Sequence, residues 1–352
     1  MNKYDEKTLA LIEKLWRKGK LTVSEYRQVI DGYSLVAAEY AATCAFETRK
    51  AIYDNTVFVR GLIEISNFCK NDCLYCGIRC SNKNADRYRL EKEEILECCK
   101  DGYEVGLRTF VLQGGEDGYF TDDKLVDIVS SIREKFPDCA ITLSLGERSY
   151  DSYKKLFDAG ANRYLLRHET ADGEHYAKLH PPTLTLAKRK KCLDNLKKIG
   201  YQVGCGFMVG SPYQTDETLA KDLKLIEQFK PDMCGIGPFV PHRDTPFSQF
   251  EAGNVGLTCY LLSLIRLIHP PVLLPATTAL GTVHPQGRLA AILSGANVIM
   301  PNLSPQSVRK KYELYNNKLT SGEESAQEMN KIKQQVQSIG YRVVVARGDI
   351  KK

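Results

Sequence analysis

Apolar positions along the chain follow two rhythms. Residues 1–55 keep helical spacing, with Leu9, Ile12 and Trp16 in register, then 21–30, then a long run through 40–52, and read as an appended helical cap. From Val57 onward, short apolar or β-branched runs predict strands over 57–66, 109–113, 140–145, 163–168, 202–209, 233–239, 272–279 and 297–301. Between them, 91–103, 121–135, 186–199, 216–229 and 255–268 show amphipathic helical periodicity. Strand and helix repeated eight times predict an α/β fold of the (β/α)8, TIM-barrel type with an amino-terminal helical extension. A doubly wound open sheet is the competing arrangement, and the unbroken alternation favours closure. Residues 321–338 read as a further helix and YRVVVARG as a terminal strand. The chain so divides into a helical extension at 1–55, a barrel at 56–315 and a carboxyl-terminal helix and strand at 316–352.

Composition narrows the class. A chain of 352 residues suits two average domains or one barrel with additions, and 43% hydrophobic with 26% charged residues excludes a disordered chain. The longest stretches without Asp, Glu, Lys or Arg, 267–287 and 289–308, approach membrane-spanning length. Pro270, Pro271, Pro275 and Pro285 interrupt the first, and Asn297, Pro301, Asn302 and Pro305 the second, so both read as buried strands with polar loops and no membrane partner is expected. A net charge of +6 over 49 basic and 43 acidic residues, with no long basic block, does not indicate nucleic acid as a partner. The opening MNKYDEKTLALIEK has no apolar h-region, so no secretory signal is expected. Twelve cysteines then suit a reducing, cytoplasmic setting in which thiols stay free or bind metal.

Directly after the first strand, FCKNDCLYCG places Cys69, Cys73 and Cys76 at C-x3-C-x2-C on a loop. Composition alone would produce three cysteines at this spacing roughly 0.01 times per chain of this kind. Three idle thiols are the bland account; three ligands for one iron–sulfur cluster are the chemical one. A 4Fe-4S cluster normally takes four thiolates, so three leave one iron open to a substrate or cofactor. Cys80 would extend the run, but the spacing is wrong for a bacterial ferredoxin, Ser81 stands where proline is usual and no second run exists, so Cys80 reads as a free thiol.

Strand alternation adds a second signal. In RYLLRHET, Arg163, Leu165, Arg167 and Glu169 share one face, and Tyr164, Leu166 and His168 the other. Charges near a strand's carboxyl end belong to a barrel's catalytic mouth. In the first strand Arg60, Glu64 and Ser66 oppose Ile63 and Ile65, giving a polar lumen and an apolar outer surface.

The C-x3-C-x2-C loop, with Tyr75 before its third cysteine, resembles that of the radical SAM enzymes. The resemblance implies one 4Fe-4S cluster on Cys69, Cys73 and Cys76 whose open iron chelates S-adenosylmethionine, cleaved reductively to a 5'-deoxyadenosyl radical. Further segments, VLQGGED, ITLSLGER, RYLLRHETA, GFMVG, DMCGIGPFVPH, PATTALGT and NVIMPNLSP, look like those of the HydE-type maturases of FeFe-hydrogenase within that family. That implies a role in assembling the di-iron subcluster, on a small organometallic or amino-acid-derived substrate such as an iron-bound cysteine carrying carbonyl or cyanide groups. It also implies the fellow maturases HydG and HydF as partners and a ferredoxin or flavodoxin as electron donor.

By the same resemblance, Tyr75, Gln113, Gly114, Gly115, Glu116, Ser144, Glu169, Arg189, Met233 and Tyr312 are cofactor contacts. Glu169 corresponds to the ribose contact, the Gly-Gly-Glu turn to the methionyl amino contact and Arg189 to the carboxylate contact. Arg60, Arg167, Thr277, Thr278 and Tyr315 correspond to the substrate side, where guanidinium and hydroxyl groups suit an anionic ligand. Each has a plainer alternative. Arg167 and Glu169 form an internal ion pair, Arg60 seals the bottom of the barrel, Arg189 belongs with Lys188, Lys190 and Lys191 to a solvated basic face, Met233 fills core and the threonines finish a strand. His242 and His284 receive no role. The chain departs from those maturases that carry a second cluster, since no cysteine follows Cys259. A biotin synthase-like or methylornithine synthase-like enzyme on another small substrate, and a non-catalytic 4Fe-4S electron carrier, are the alternatives.

Overall fold

Three helices lead the chain into its barrel: α1 (Lys3–Lys18), α2 (Val23–Asp31) and α3 (Leu35–Tyr53), in a computed structural model that describes residues 3–320 and 328–351. Thr22 begins α2 with a capping box, accepting from the Glu25 N–H while the Glu25 carboxylate accepts from the Thr22 N–H at 3.0 Å. Ser34 caps α3 by accepting from the Ala37 N–H.

The remaining elements run β1 (Thr56–Val59), β2 (Gly61–Ser66), α4 (Lys92–Glu104), β3 (Thr109–Gly114), α5 (Asp122–Lys135), β4 (Ala140–Ser144), α6 (Tyr150–Asp158), β5 (Arg163–Leu165), α7 (Gly173–Leu179), α8 (Leu186–Ile199), β6 (Gln202–Cys205), β7 (Met208–Val209) and α9 (Asp216–Phe229). Then come β8 (Met233–Cys234), β9 (Gly237–Pro238), α10 (Val255–Ile268), α11 (Thr278–Val283), α12 (Gly287–Leu293), β10 (Val298–Ile299), α13 (Gln306–Arg309), α14 (Met329–Ser338) and β11 (Arg342–Val344). Strands β2-β3-β4-β5-β6-β8 lie side by side in that order, all parallel. Single bridges from Met233 to Leu273, from Pro275 to Val298 and from Leu62 to Asn302 carry the pairing round to the first strand, closing the ring.

Most expected strands are present but shorter, for identifiable reasons. The seventh, expected over 272–279, makes only isolated bridges, because Pro275 has no N–H to donate to a ladder. Its last residues are helical instead, with Thr277 at the N-cap of α11. The fifth, expected over 202–209, splits into β6 and β7 at Gly206, where a Cβ would lie 2.0 Å from the Gly235 carbonyl oxygen. Residues 321–327 of the helix expected over 321–338 lie outside the described residues, and α14 occupies Met329–Ser338.

Outward-facing residues make the core. Ile63, Ile65, Leu112, Leu143, Tyr164 and Val203 are buried beneath the surrounding helices, and the Tyr164 ring meets Tyr153 and Tyr201 with centroids 4.9 and 5.8 Å apart. Helix α10 is buried along its whole length from Thr258 to Ile268 because α3 packs over it.

At the amino-terminal ends of the strands the chain closes its own barrel. β11 pairs in parallel with β1, and the tail beyond it turns inward. Fully buried Arg163 donates to Asp349 Oδ1 at 2.6 Å and to the Arg347 carbonyl at 2.9 Å, while Thr109 Oγ1 donates to the same carbonyl at 2.8 Å. No helix among the described residues is long and apolar enough to cross a membrane.

Candidate active site at the barrel mouth

The cysteine loop leaves the carboxyl end of β2 and is stapled by its own charges. Arg79 donates to both oxygens of Asp72, at 2.7 and 2.5 Å, and this pairing holds the Asp72 carboxyl well below the usual range. Arg87 donates to the Ile78 and Arg79 carbonyls at 2.8 and 2.7 Å. Asn67 donates to the Asp86 and Lys311 carbonyls at 2.8 and 2.7 Å. Within this frame Cys69, Cys73 and Cys76 are half-buried and Cys80 is exposed.

Burial raises the Cys69 and Cys73 thiols and pushes Cys76 up to about 12, and mutual repulsion among the thiolates adds to it. Three thiolates together therefore need positive charge between them, which a metal cluster supplies. Among the described residues no three His, Cys, Asp or Glu side chains close on a single ion. A polynuclear cluster, whose separate irons each take one thiolate, suits the triad better than one metal atom.

Strands β2, β3 and β4 end in one layer, in which Glu64 pairs in register with Gln113 and Gln113 with Ser144. The Gly114, Gly115, Glu116 turn lies against the cysteine loop. A Cβ on Gly115 would sit 2.1 Å from the Phe68 carbonyl oxygen and 2.7 Å from Cys69 Cβ, so only glycine lets the two segments touch. The Glu116 carbonyl accepts from the Lys70 N–H at 3.0 Å, and its Oε1 accepts from the Glu147 N–H at 2.8 Å.

Beyond β5 the alternation continues as expected, with Tyr164, Leu166 and His168 buried outside and Arg167 and Glu169 on the opposite side. Glu169 adopts a φ of +65°. Its Oε2 lies 3.2 Å from the Arg167 guanidinium, yet neither Glu169 Oε2 nor Arg167 Nε and Nη2 makes a hydrogen bond. Arg189 is buried, donating to Glu147 Oε1 at 2.7 Å and to the Arg167 carbonyl at 2.7 Å. Burial works against its charge, but Tyr176 and Glu147 more than offset this and raise its pKa. Both Glu169 and Arg189 lie within electrostatic reach of Cys73. Tyr75 stands edge-on to His180, its hydroxyl 3.2 Å from Nε2.

The segment after α13 crosses the mouth. The Leu314 carbonyl accepts from the Gly77 N–H at 2.8 Å, and the Tyr312 hydroxyl accepts from Gln113 Nε2 at 3.4 Å. Half-buried Tyr315 belongs to the same segment. Thr277 Oγ1 is buried without a hydrogen bond at the start of α11, and the Thr278 carbonyl accepts from Thr282 Oγ1 at 3.1 Å. Two sequence candidates lie elsewhere. Arg60 donates to Met233 Sδ at 2.8 Å and to the Gly348 carbonyl at 3.2 Å, and Met233 packs with Phe58, Leu273 and Val298, at the end that the tail closes.

The structure adds residues to which the sequence assigned no role. Glu147 follows the third strand directly and pairs with Arg189, a position that could have been flagged. Glu64, already on the lumen face by alternation, is fully buried and receives Lys318 Nζ on one oxygen and Asn302 Nδ2 on the other at 2.9 Å. Nothing local in NNKLTS marks Lys318. Buried polar atoms without hydrogen bonds are uncommon in native proteins. The Arg167–Glu169 ion pair, Glu147 Oε2, which meets Lys188 Nζ at 3.2 Å, and the Thr277 hydroxyl all include such atoms beside the thiol triad, and they fit a polar, zwitterionic ligand.

A closed parallel barrel with a three-thiol loop at its mouth and buried charges around it defines the radical SAM class of enzyme, which uses a 4Fe-4S cluster and S-adenosylmethionine. Residues 63–226 match the Radical SAM superfamily. The chain is 46% identical over 275 residues, 78% of each chain, to the [FeFe] hydrogenase maturase subunit HydE of Thermotoga maritima. It belongs to the HydE family of radical SAM enzymes. Its fold matches the crystal structure of methylornithine synthase (PylB) with a TM-score of 0.81 at 26% identity, over 95% of this chain and 97% of that one. It matches the hydrogenase maturase HydG with a TM-score of 0.80 at 22% identity, over 97% and 77%, which shows the shared fold.

Proposed function

We propose that this enzyme acts in the cytoplasm on a small organometallic substrate derived from cysteine, in assembly of the FeFe-hydrogenase di-iron subcluster, beside HydG and HydF and with a ferredoxin or flavodoxin as electron donor. The observation that carries the chemistry is the mouth's donor set: three half-buried thiols next to buried Glu169, whose Oε2 faces Arg167 at 3.2 Å and makes no hydrogen bond. When bound, the cluster and S-adenosylmethionine together supply a 5'-deoxyadenosyl radical.

The chain's own residues bind, orient and exclude water. Cys69, Cys73 and Cys76 hold the cluster. Tyr75, backed by His180, shields it from the side of Leu179 and Phe239, with which it packs. Gly114, Gly115 and Glu116 offer backbone and carboxylate to the cofactor's ammonium, Glu169 to its ribose hydroxyls, and Arg189 to its carboxylate, while Gln113, Ser144 and Tyr312 line the same layer. Arg167, Thr277, Thr278 and Tyr315 face the substrate with donors. Arg60 and Met233 form the far, closed end of the lumen. The catalytic unit is 56–315, with 1–55 and 316–352 as its flanking supports. A second reading, an enzyme resembling methylornithine synthase with another small substrate, is favoured by the likeness of the two backbones over nearly their whole length.

The test is anaerobic. Reconstituted wild-type protein, once reduced, is expected to change its electron paramagnetic resonance signal on addition of S-adenosylmethionine and to release 5'-deoxyadenosine. Cys73→Ala is expected to do neither. A cluster that S-adenosylmethionine neither perturbs nor is cleaved by would favour the electron carrier instead. Activation of an apo-hydrogenase in the presence of HydG and HydF separates the maturase from the second reading.

A further inference from the structure

Glu169 holds a backbone conformation that its neighbours must enforce. Its φ is +65°, and the Thr170 N–H donates across it to the His168 carbonyl at 2.8 Å, closing a three-residue turn of the uncommon hand. Such strain persists only where the surroundings over-determine it, and it gathers at ligand sites.

The surroundings here are two side chains with no exposed surface, His168 and, from α9, Asp222. Asp222 Oδ1 accepts from the Ala171 N–H at 2.5 Å and faces His168 Nε2 at 3.2 Å. The Gly206 N–H donates to His168 Nδ1 at 3.3 Å, which makes that nitrogen the acceptor and Nε2 the protonated donor to Asp222. Residues 168 and 171, on either side of the turn, are thus gripped by one carboxylate oxygen. Glu169 is fastened in addition by its N–H to the Gly206 carbonyl at 3.0 Å. Burying a carboxylate and an imidazole together is costly. Asp222 Oδ2 makes no hydrogen bond, and both contacts of Oδ1 run to residues that flank the turn.

We propose that the His168–Asp222 pair is a positioning device that holds Glu169 in its left-handed turn and so presents the Glu169 carboxylate to the hydroxyl groups of S-adenosylmethionine. This rests on the reading of Glu169 as a cofactor contact. Neither His168 nor Asp222 touches the cofactor; both act through the backbone. Without the grip, the turn relaxes to negative φ and the carboxylate swings out of place.

Equilibrium dialysis of S-adenosylmethionine against reconstituted, unreduced holoenzyme tests the proposal. Asp222→Ala is expected to weaken binding by about 10- to 100-fold, as loss of an orienting partner commonly does, with iron per chain unchanged. Asp222→Asn is expected to bind as wild type, because an amide oxygen at the Oδ1 position accepts both bonds. In a Glu169→Ala background, Asp222→Ala should add no further loss, since two residues acting through one contact are not additive. A general structural weakening would instead multiply the two losses, and that result overturns the proposal, as does wild-type affinity in a folded, iron-replete Asp222→Ala protein. Should Asp222→Ala fail to fold, His168→Ala, which leaves the bond to Ala171 intact, is measured the same way. Failure of both to fold overturns the positioning role, because the pair would then be holding the fold. Wild-type protein that does not bind S-adenosylmethionine is a different failure, that of the proposed function itself.

Discussion

His180 shows how one buried residue sets conditions for the site. Its Nδ1 donates to the Tyr176 carbonyl at 2.9 Å, which leaves Nε2 to accept from the Tyr75 hydroxyl, and Tyr176 stacks on it with centroids 3.9 Å apart. Burial lowers its pKa to about 4 from 6.5. Because the folded value is depressed, the neutral ring's contribution is complete above pH 6.5 and is lost as pH falls toward 4, on the order of 3 kcal/mol. His180→Gln is expected to flatten stability against pH in that window relative to wild type, as measured by urea unfolding at a series of pH values. Equal acid sensitivity in the two proteins would sink the assignment. Alternation places Glu169 on the lumen face and motif spacing singles out the triad, whereas His180, at the carboxyl end of α7, has as its only local signal its separation of four residues from Tyr176.

At the scale of elements, the segment from α13 to Lys318 works as a strap over the mouth. It bonds the cysteine loop through Leu314, β3 through Tyr312 and, by the Asn316 N–H to the Pro241 carbonyl at 3.0 Å, the loop after β9. Lys318, with its side chain only 6% exposed, pins the strap to Glu64 and also donates to the Tyr312 carbonyl at 3.0 Å. Removing one partner of a buried pair leaves the other charge uncompensated, so Lys318→Met is expected to cost about 3–5 kcal/mol. Adding Glu64→Gln should restore most of that, because the amide still accepts from Asn302. Chemical denaturation of the single and double variants checks both statements, and a double variant no more stable than Lys318→Met would contradict them. An ion pair thus ties the segment down.

For the molecule as a whole, the helical extension is continuous with the barrel's packing. Leu261, Leu262, Leu264, Ile265 and Leu267 of α10 are all buried, with α3 forming the cover on one side. Fully burying each such side chain is worth about 1.5–3 kcal/mol. A chain reduced to 56–352 is therefore expected to lose cooperative thermal unfolding and to bind a hydrophobic dye, and a sharp, two-state melt from that fragment would show the extension to be dispensable. The carboxyl-terminal tail supports the opposite end, where Arg163, Arg60 and Asp349 shut the barrel that the strap covers at its mouth.

Local rules in the sequence determined the strand and helix rhythm, the ends of α8, α9 and α10, the outward and inward faces of β2 and β5, and the cysteine triad. Those features depend on period, side-chain polarity and spacing within one segment. Tertiary structure decided what depends on segments meeting. It reduced the seventh strand to bridges around Pro275, carried Arg60 and Met233 to the closed end and set Asp222 against a turn more than fifty residues away. It also brought Lys318 to Glu64 across 254 positions of chain. The physical reason is that a buried charge is stable only beside its partner, and which residue becomes that partner is set by how the barrel closes, not by its neighbours in sequence.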